Sequence, residues 1–454
     1  MKSSTNTSEI LGTKTVKKLL FSQSAPAAIG FMVMSLNMVV DTFFVGRYIG
    51  ELAIGAISVI FPISFLLSAV GMSIGIGGGS IVSRALGSND EEKAQLSFNN
   101  QISLTLFLAF LIILIGVSFS EPILTLFGAK GAIFPLADIY FSIVLIGIPF
   151  LAISMMANNN LRAEGKPKIA MIVLLIPSIV NIILDYILID LFDLGMSGAA
   201  WATTVSYLGC AFYIFFFYLT GKGQLKVLPA KFKLNKGIVT EIFKLGSVNL
   251  VRQGTLSLLA IILNTSLFYY GNKNPEMGGE TAISVYGLAS RLAMFAFFPL
   301  IGIAQGFMPI VGYNFGAKKF ERVKETINYS LIYGFLIASV ICFILTYFSP
   351  LIPHVFTHDQ KLIHYSPDAI FWLFITAPTV VFHLIGPSYY QALGKALPAL
   401  LLTITKQGLF LIPLVVVLPL YFGIDGIWYS FPISDVLSAI TCYYFLRKGV
   451  KKLA

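Results

Sequence analysis

Apolar residues fill most of this chain in long runs that short polar segments separate. Twelve runs reach the roughly 20 residues that a helix needs to cross a bilayer. Several are longer, so we expect tilted, kinked or extended helices. The pattern predicts an all-α polytopic membrane protein with twelve transmembrane helices. The runs lie at about 19–45, 52–82, 96–119, 134–158, 168–190, 196–220, 240–270, 280–311, 322–348, 366–393, 397–420 and 424–446.

Composition supports the same class. The 454 residues are 57% hydrophobic and only 11% charged, with a mean hydropathy of +0.84. That charged fraction is about half the value of a soluble domain. Cys210, Cys342 and Cys442 all fall within apolar runs, which is typical of buried small side chains rather than disulfides or metal ligands. We expect no cofactor.

The net charge of +10 does not indicate nucleic-acid binding, because the basic residues are scattered over short loops. If the N-terminus is cytoplasmic, about twenty-three Lys and Arg residues lie in inner loops and about four in outer loops. This bias predicts that both termini are cytoplasmic. The N-terminal stretch is polar, and the first apolar run is too long for the apolar region of a signal peptide. Both features predict that no signal peptide is cleaved.

An internal repeat divides the chain. The segment from Leu161 to Lys166, ahead of helix 5, is echoed from Tyr390 to Lys395, ahead of helix 11, an offset of about 229 residues. Pro149 and Pro378 match at the same offset. The repeat predicts two six-helix bundles in the same orientation, related by a pseudo-twofold axis along the membrane normal. They are an N-lobe at 1–221 and a C-lobe at 237–454, joined by a basic cytoplasmic linker at 222–236.

Polar residues within the apolar runs mark a candidate site in the N-lobe. Asn181 and Asp185 are one helical turn apart on one face of helix 5. A carboxylate inside a membrane helix costs several kcal/mol unless it meets a partner or water. The second repeat has Phe410 and Leu414 at the matching positions. The pair therefore indicates a function specific to the first half.

Two further residues lie at a similar depth in neighbouring helices. Asp41 near the end of helix 1 and Thr203 in helix 6 are placed, like Asp185, about 7–12 Å below the outer surface. Two carboxylates, an amide oxygen and a hydroxyl suit Na⁺, and paired acids also favour proton uptake. The alternative is two acids hydrogen-bonded within a packed core. The favoured interpretation is a coupling-cation site for H⁺ or Na⁺, with Na⁺ as the metal.

At these residues the chain resembles the multidrug and toxic compound extrusion (MATE) family, in particular its bacterial multidrug-efflux branch. The resemblance is carried in order along the chain by Asp41 to Gly46, Asn181 to Asp185, Gly198 to Ala200 before Thr203, and the Gly-Lys pairs before helices 5 and 11. It implies a V-shaped molecule with a central cavity. It also implies an N-lobe cation site at Asp41, Asn181, Asp185 and Thr203, with Pro26 as the hinge of helix 1.

The resemblance further implies secondary active export of amphipathic, often cationic compounds against H⁺ or Na⁺ entry by alternating access. The expected location is the inner membrane of a bacterium, with drug-like small molecules and the lipid bilayer as partners. No obligatory protein partner is expected, and the chain is expected to be monomeric. The alternative is a flippase for a lipid-linked substrate. A membrane enzyme or a channel fits poorly, since no histidine neighbours the acids and no charge ring is present.

The C-lobe departs from the family pattern, because several branches carry an acidic residue in helix 7 where this chain has Arg252 and Gln253. This departure argues against a cation site in the C-lobe. The polar residues of its helices suggest either a mutually paired structural network or a wall that receives anionic or carbonyl groups of a substrate. These residues are Arg252, Gln253, Arg291, Lys406, Gln407 and Asp435.

Overall fold

The computed structural model describes residues 7–228 and 234–453. Within these ranges all regular secondary structure is helical, which confirms the predicted all-α fold class. Residues 229–233 of the predicted linker lie outside the described residues.

Six long helices precede the linker. The short helices Thr7–Glu9 and Ile10–Thr13 come before them, and Ser120–Leu126 follows the third. The six are α1 (Val16–Tyr48), α2 (Glu51–Gly87), α3 (Glu91–Ser118), α4 (Ile133–Ala163), α5 (Pro167–Leu191) and α6 (Gly195–Leu219).

Six more helical spans follow the linker. The eighth consists of two segments that meet at a bend of 43°, and the short helix Ile352–Phe356 precedes the tenth. The six are α7 (Lys236–Asn272), α8 (Gly279–Ala296 with Phe298–Gly316), α9 (Phe320–Tyr347), α10 (Gln360–Ala392), α11 (Ala396–Phe422) and α12 (Ile424–Lys451).

Ten of these helices are long and apolar enough to cross a membrane, and the bent pair of α8 makes an eleventh span. The exception is α12, in which Asp425 and Asp435 lower the mean hydropathy, although its 28 residues are sufficient in length. Each of the twelve predicted runs is thus a helix in the described part of the chain. The protein is a multi-pass membrane protein.

The described residues divide into two compact units. The boundaries between these units fall inside α1 and α7, whereas the boundaries of the predicted lobes follow the sequence repeat. The lobe boundaries therefore stay a prediction. The first unit contains the described residues up to Lys14, Ile29–Leu250 and Gly312–Lys318. The second contains Thr15–Ala28, Val251–Val311 and the described residues from Lys319 onward.

Each unit has an apolar core of its own. In the first unit, Ile60 of α2 packs with Phe141 and Ile148 of α4. In the second unit, Leu263 of α7 packs with Phe374 of α10 and with residues of α12. Many large apolar side chains outside these cores are exposed, as expected for helices that face lipid.

Glycines of α2 let its backbone touch that of α4 within the first unit. A Cβ atom added at Gly71 would lie 2.5 Å from the carbonyl oxygen of Ala152, and one added at Gly75 would lie 2.8 Å from the Cα of Met156. No side chain fits at such distances without moving one helix. The glycine-rich stretch from Gly71 to Gly79 therefore serves close helix packing.

We expect Gly71→Ala to destabilise the protein by about 1–3 kcal/mol, because the added methyl group must push α2 away from the backbone of α4. The measurement is the melting temperature of the purified protein in detergent. Gly209→Ala in α6 is the matched control, since a Cβ atom at Gly209 would meet nothing within 4 Å. Its melting temperature should equal or exceed that of the wild type; an equal fall in both variants would contradict the packing argument.

The repeated motif before α5 and α11 is a helix terminus that needs glycine. Gly165 has φ +75° and Gly394 has φ +79°, a left-handed conformation that residues with a Cβ atom adopt only under strain. The turn at Gly165 also buries Glu164, whose carboxylate accepts hydrogen bonds from Gln224 N at 2.6 Å and Tyr218 Oη at 3.0 Å. Burial raises the pKa of Glu164, while the charge of Lys166 and these hydrogen bonds oppose the rise.

Candidate functional site

Helix α5 supplies the core of the candidate site. Asn181 and Asp185 are both buried, and Asn181 Nδ2 donates to Asp185 Oδ1 at 3.3 Å, as their spacing of one turn predicts. Directly after Asp185, the helix widens into π-helical turns over Tyr186–Leu191. Such local departures from α-helical geometry frequently accompany functional sites.

Helix α1 brings a second carboxylate to the same place. The carboxyl groups of Asp41 and Asp185 lie close enough for the charge of one to act on the other. Asp41 Oδ1 and Asp185 Oδ2 are buried, and neither has a hydrogen-bond donor among the described residues. Two neighbouring buried carboxylates repel each other and do not both stay charged without a cation, so the pair is suited to hold a proton or a small hard ion.

Three more side chains complete the arrangement, and sequence reasoning named only one of them. Thr203 of α6 accepts a hydrogen bond from Asn181 Nδ2 at 3.4 Å, and its hydroxyl lies 3.3 Å from Tyr140 Oη of α4. Asn37 Nδ2 donates to Asn181 Oδ1 at 3.0 Å. The structure thus gathers Asp41, Asn181, Asp185 and Thr203, the four predicted residues, within one unit.

Asn37 could have been found from the sequence, because it precedes Asp41 by one helical turn on the same face of α1. Tyr140 could not, since the chain has twenty tyrosines and their positions along the helices do not show which of them reach a polar neighbour. Both residues orient the amide and hydroxyl groups that lie beside the carboxylates. They are positioning residues for the candidate cation site.

We expect Asn37→Leu to weaken binding of the coupling cation about tenfold, the lower end of the effect of losing such an orienting partner. Asn181 would lose the donor that fixes its amide, so the amide nitrogen would no longer be held toward Asp185. The measurement is the cation concentration that gives half-maximal dye transport in liposomes. Thr42→Val is the control, because among the described residues the hydroxyl of the exposed Thr42 bonds only to Met38 O of its own helix. An unchanged midpoint in Asn37→Leu would contradict this role.

Pro26 lies within α1 and precedes Asp41 along the sequence of that helix. Proline has no backbone N–H to donate, so the helix lacks one hydrogen bond there and is easier to bend. The helix continues through this position from Val16 to Tyr48. Its role as a hinge stays a prediction.

The second unit holds a separate polar cluster. Lys406 Nζ of α11 lies 2.7 Å from Asp435 Oδ1 of α12, and Thr376 Oγ1 donates to Asp435 Oδ2 at 3.1 Å. Lys406 lies at the start of the π-helical segment Thr405–Leu411. The buried His383 is close enough to Lys406 and Arg252 for their charges to act on its ring.

The other members of the predicted C-lobe group are not bonded to this pair in the described residues. In the portion of the chain with described coordinates, no side-chain hydrogen bond or ion pair links Gln253, Arg291 or Gln407 to the Lys406–Asp435 pair. Arg291 is exposed. Sequence reasoning did not identify Thr376. No group of three or more His, Cys, Asp or Glu residues in the described ranges is arranged to hold a metal ion.

Comparison with known proteins places this arrangement in a family. The MatE family model matches residues 26–187 and 257–417, one match in each half of the chain. The multidrug export protein MepA of Staphylococcus aureus (strain N315) is 30% identical over 442 residues, covering 95% of this chain and 94% of that protein. MepA of Staphylococcus saprophyticus is 30% identical over 437 residues, covering 93% and 92%.

Solved structures share the fold. A multidrug resistance MATE family transporter of the MOP superfamily, in an outward-facing conformation, superposes with a TM-score of 0.92 at 23% identity, covering 100% of this chain and 99% of that one. A crystal structure of MATE in a straight conformation gives 0.92 at 23% identity, covering 99% of each chain. The similarity extends over all twelve helical spans.

Proposed function

Since this chain belongs to the MatE family, we propose that it is a secondary active multidrug exporter that moves amphipathic, often cationic compounds in exchange for H⁺ or Na⁺. The curated relatives are export proteins, so the chain is a transporter rather than an enzyme. Their substrates are described only as multiple drugs, which favours drug-like small molecules here as well.

The observation that carries the proposed antiport is the carboxylate pair. Asp41 Oδ1 and Asp185 Oδ2 are buried in a membrane protein without a donor from the described residues. An uncompensated charge there is costly, whereas a bound cation neutralises it and meets oxygens of Asn181 and Thr203 nearby. The four residues predicted as the coupling-cation site are proposed in that role, and the same oxygens suit either ion.

Coupling requires that the cation and the drug favour different conformations. When the cation binds, the repulsion between Asp41 and Asp185 is removed, and α1 can pack more closely on α5. We propose that α1 bends near Pro26 in this step, because that position lacks a backbone hydrogen bond. The bending reduces the space for the drug, which leaves, and release of the cation on the opposite side resets the cycle.

The setting follows from the same proposal. The twelve helical spans fit a multi-pass protein of a bacterial inner membrane with both termini in the cytoplasm. The four residues proposed to bind the cation all belong to one chain, so transport is proposed to occur in a monomer without an obligatory protein partner. No cofactor is required by antiport.

The test is efflux of a fluorescent cationic dye from liposomes that contain the purified protein. A pH gradient and an Na⁺ gradient are imposed separately, each with the cation moving opposite to the dye. We expect one gradient to accelerate dye movement severalfold over liposomes with dissipated gradients, and that gradient identifies the ion. Equal dye movement with and without both gradients would overturn antiport.

A further inference from the structure

The two short helices ahead of α1 are packed into the first unit. They are Thr7–Glu9 and Ile10–Thr13, of three and four residues. Helices of this length are not stable by themselves, so contacts with the rest of the unit must hold them in place. Ser8 is 2% exposed and Leu11 is fully buried. Residues 7–14, here called the N-terminal segment, are therefore docked on the protein.

The N-terminal segment is hydrogen-bonded to the last turn of α8. Asn314 Nδ2 donates to Leu11 O at 2.9 Å, and Asn314 is fully buried. A buried amide is costly unless it finds hydrogen-bond partners. The sequence repeat places Ala85 at the position that matches Asn314, and alanine has no side-chain donor. The bond to the N-terminal segment thus belongs to the second repeat.

The same segment also lies against the first half of the chain. Thr7–Glu9 lies beside α2. A Cβ atom added at Gly165, in the turn between α4 and α5, would lie 2.7 Å from the carbonyl oxygen of Thr7. All of these contacts are within the first unit, which includes the end of α8 at Gly312–Lys318. The N-terminal segment therefore joins elements from both halves of the sequence.

The ends of α2 and α8 also touch each other directly. A Cβ atom added at Gly87, the last residue of α2, would overlap the carbonyl oxygen of Tyr313. One added at Gly316, the last residue of α8, would overlap the carbonyl oxygen of Arg84. The two glycines occupy matching positions of the sequence repeat. Backbones this close leave no space between the two helix ends.

We propose that the N-terminal segment is a latch that holds the cytoplasmic side of the transporter closed. This inference rests on the proposed function, in which alternating access requires the ends of α2 and α8 to separate on the cytoplasmic side. Because the segment is bonded to α8 and lies beside α2, it cannot keep both contacts when these ends move apart. The stability of the docked segment therefore sets the fraction of molecules that are open to the cytoplasm.

Hydrogen–deuterium exchange of the purified full chain in detergent tests whether docking and closure are coupled. Leu11→Ala removes a fully buried side chain from the segment. We expect the amides of residues 10–14 to exchange at least about tenfold faster. The amides of residues 84–87 and 313–316 should exchange faster as well, because the ends of α2 and α8 separate more often. Leu397→Ala makes the same change at a side chain that is 68% exposed and should leave all these rates at the wild-type value.

A second variant keeps the test decisive if Leu11→Ala does not yield folded protein. Asn314→Leu removes the donor to Leu11 O, and we expect faster exchange both in the segment and at residues 84–87, which this substitution does not change. Faster exchange of the segment alone would overturn the latch, because the segment would then be docked without holding α2 and α8 together. Unchanged exchange in both folded variants would overturn it too.

Transport supplies a readout that a merely structural role would not move. In membrane vesicles turned inside out, dye added outside reaches the cytoplasmic side of the protein. Leu11→Ala should lower the half-saturating dye concentration for uptake, by up to about tenfold, because a larger fraction of the protein is open to that side. A variant that is only destabilised would transport less dye at an unchanged half-saturating concentration, and that result would contradict the latch.

The outcome for the latch is separate from that for antiport. Coupled exchange in the segment, α2 and α8, in a protein whose dye transport ignores both gradients, rejects antiport and leaves the latch supported. Gradient-driven transport in a protein whose Leu11→Ala variant exchanges faster only in the segment rejects the latch alone.

Discussion

Asp41→Asn is expected to reduce gradient-driven dye efflux to the level of protein-free liposomes, while the protein still folds. An amide has no negative charge to attract Na⁺ and does not take up a proton near neutral pH, so the site can no longer switch its charge. The fold should persist, because the substitution removes one of two mutually repelling carboxylates. The measurement compares efflux under the effective gradient for equal amounts of reconstituted protein.

Asp193→Asn provides the matched control. It makes the same chemical change at an exposed residue whose φ of +51° asparagine adopts readily. We expect wild-type efflux from this variant. Retained gradient-driven efflux in folded Asp41→Asn would exclude Asp41 from the coupling site.

Lys406→Met is expected to destabilise the protein by about 3–5 kcal/mol, because it leaves Asp435 buried without its cation. The side chains of Lys406 and Asp435 are 17% and 5% exposed, so water compensates little. The double variant Lys406→Met/Asp435→Asn should recover most of the loss, since it removes both charges. Melting temperatures in detergent for the two single variants and the double variant give the interaction energy.

If the losses of stability in the two single variants add up in the double variant, the ion pair contributes nothing to stability. A double variant less stable than either single variant would contradict the charge argument. Lys273→Met is the control. That lysine lies over the ring of Tyr269 at 4.4 Å and has no ion pair in the described part of the chain, so its loss should cost no more than about 1 kcal/mol.

The fold was predictable because a membrane imposes one requirement on every span. The backbone must satisfy its own hydrogen bonds in lipid, so each long apolar run becomes a helix. The interruption of α10 near Thr376 and the π-helical turns after Asp185 were not predictable. They depend on how side chains of neighbouring helices pack, which the spacing along one helix does not encode.

The candidate sites likewise combine contacts that follow from spacing along one helix with contacts that depend on how neighbouring helices pack. Asn181 and Asp185 share a face of one helix, so their contact followed from spacing alone. The contact of Asn181 with Asn37 depends on which face α1 turns toward α5. The spacing of residues along one helix does not predict that orientation. For the same reason, the sequence places Arg291 and Lys406 in one group because both fall within membrane helices, although the side chain of Arg291 is exposed.

The exchange of drug for cation is tested most directly by imposing a dye gradient and measuring the movement of the cation. Liposomes containing the protein are loaded with dye and diluted into dye-free buffer without any ion gradient, and cation entry is followed with a pH-sensitive or Na⁺-sensitive probe. Antiport predicts that dye exit drives entry of the coupling cation, and that Asp41→Asn prevents it. Dye exit at the wild-type rate without any cation movement would show that the protein conducts drugs without exchange.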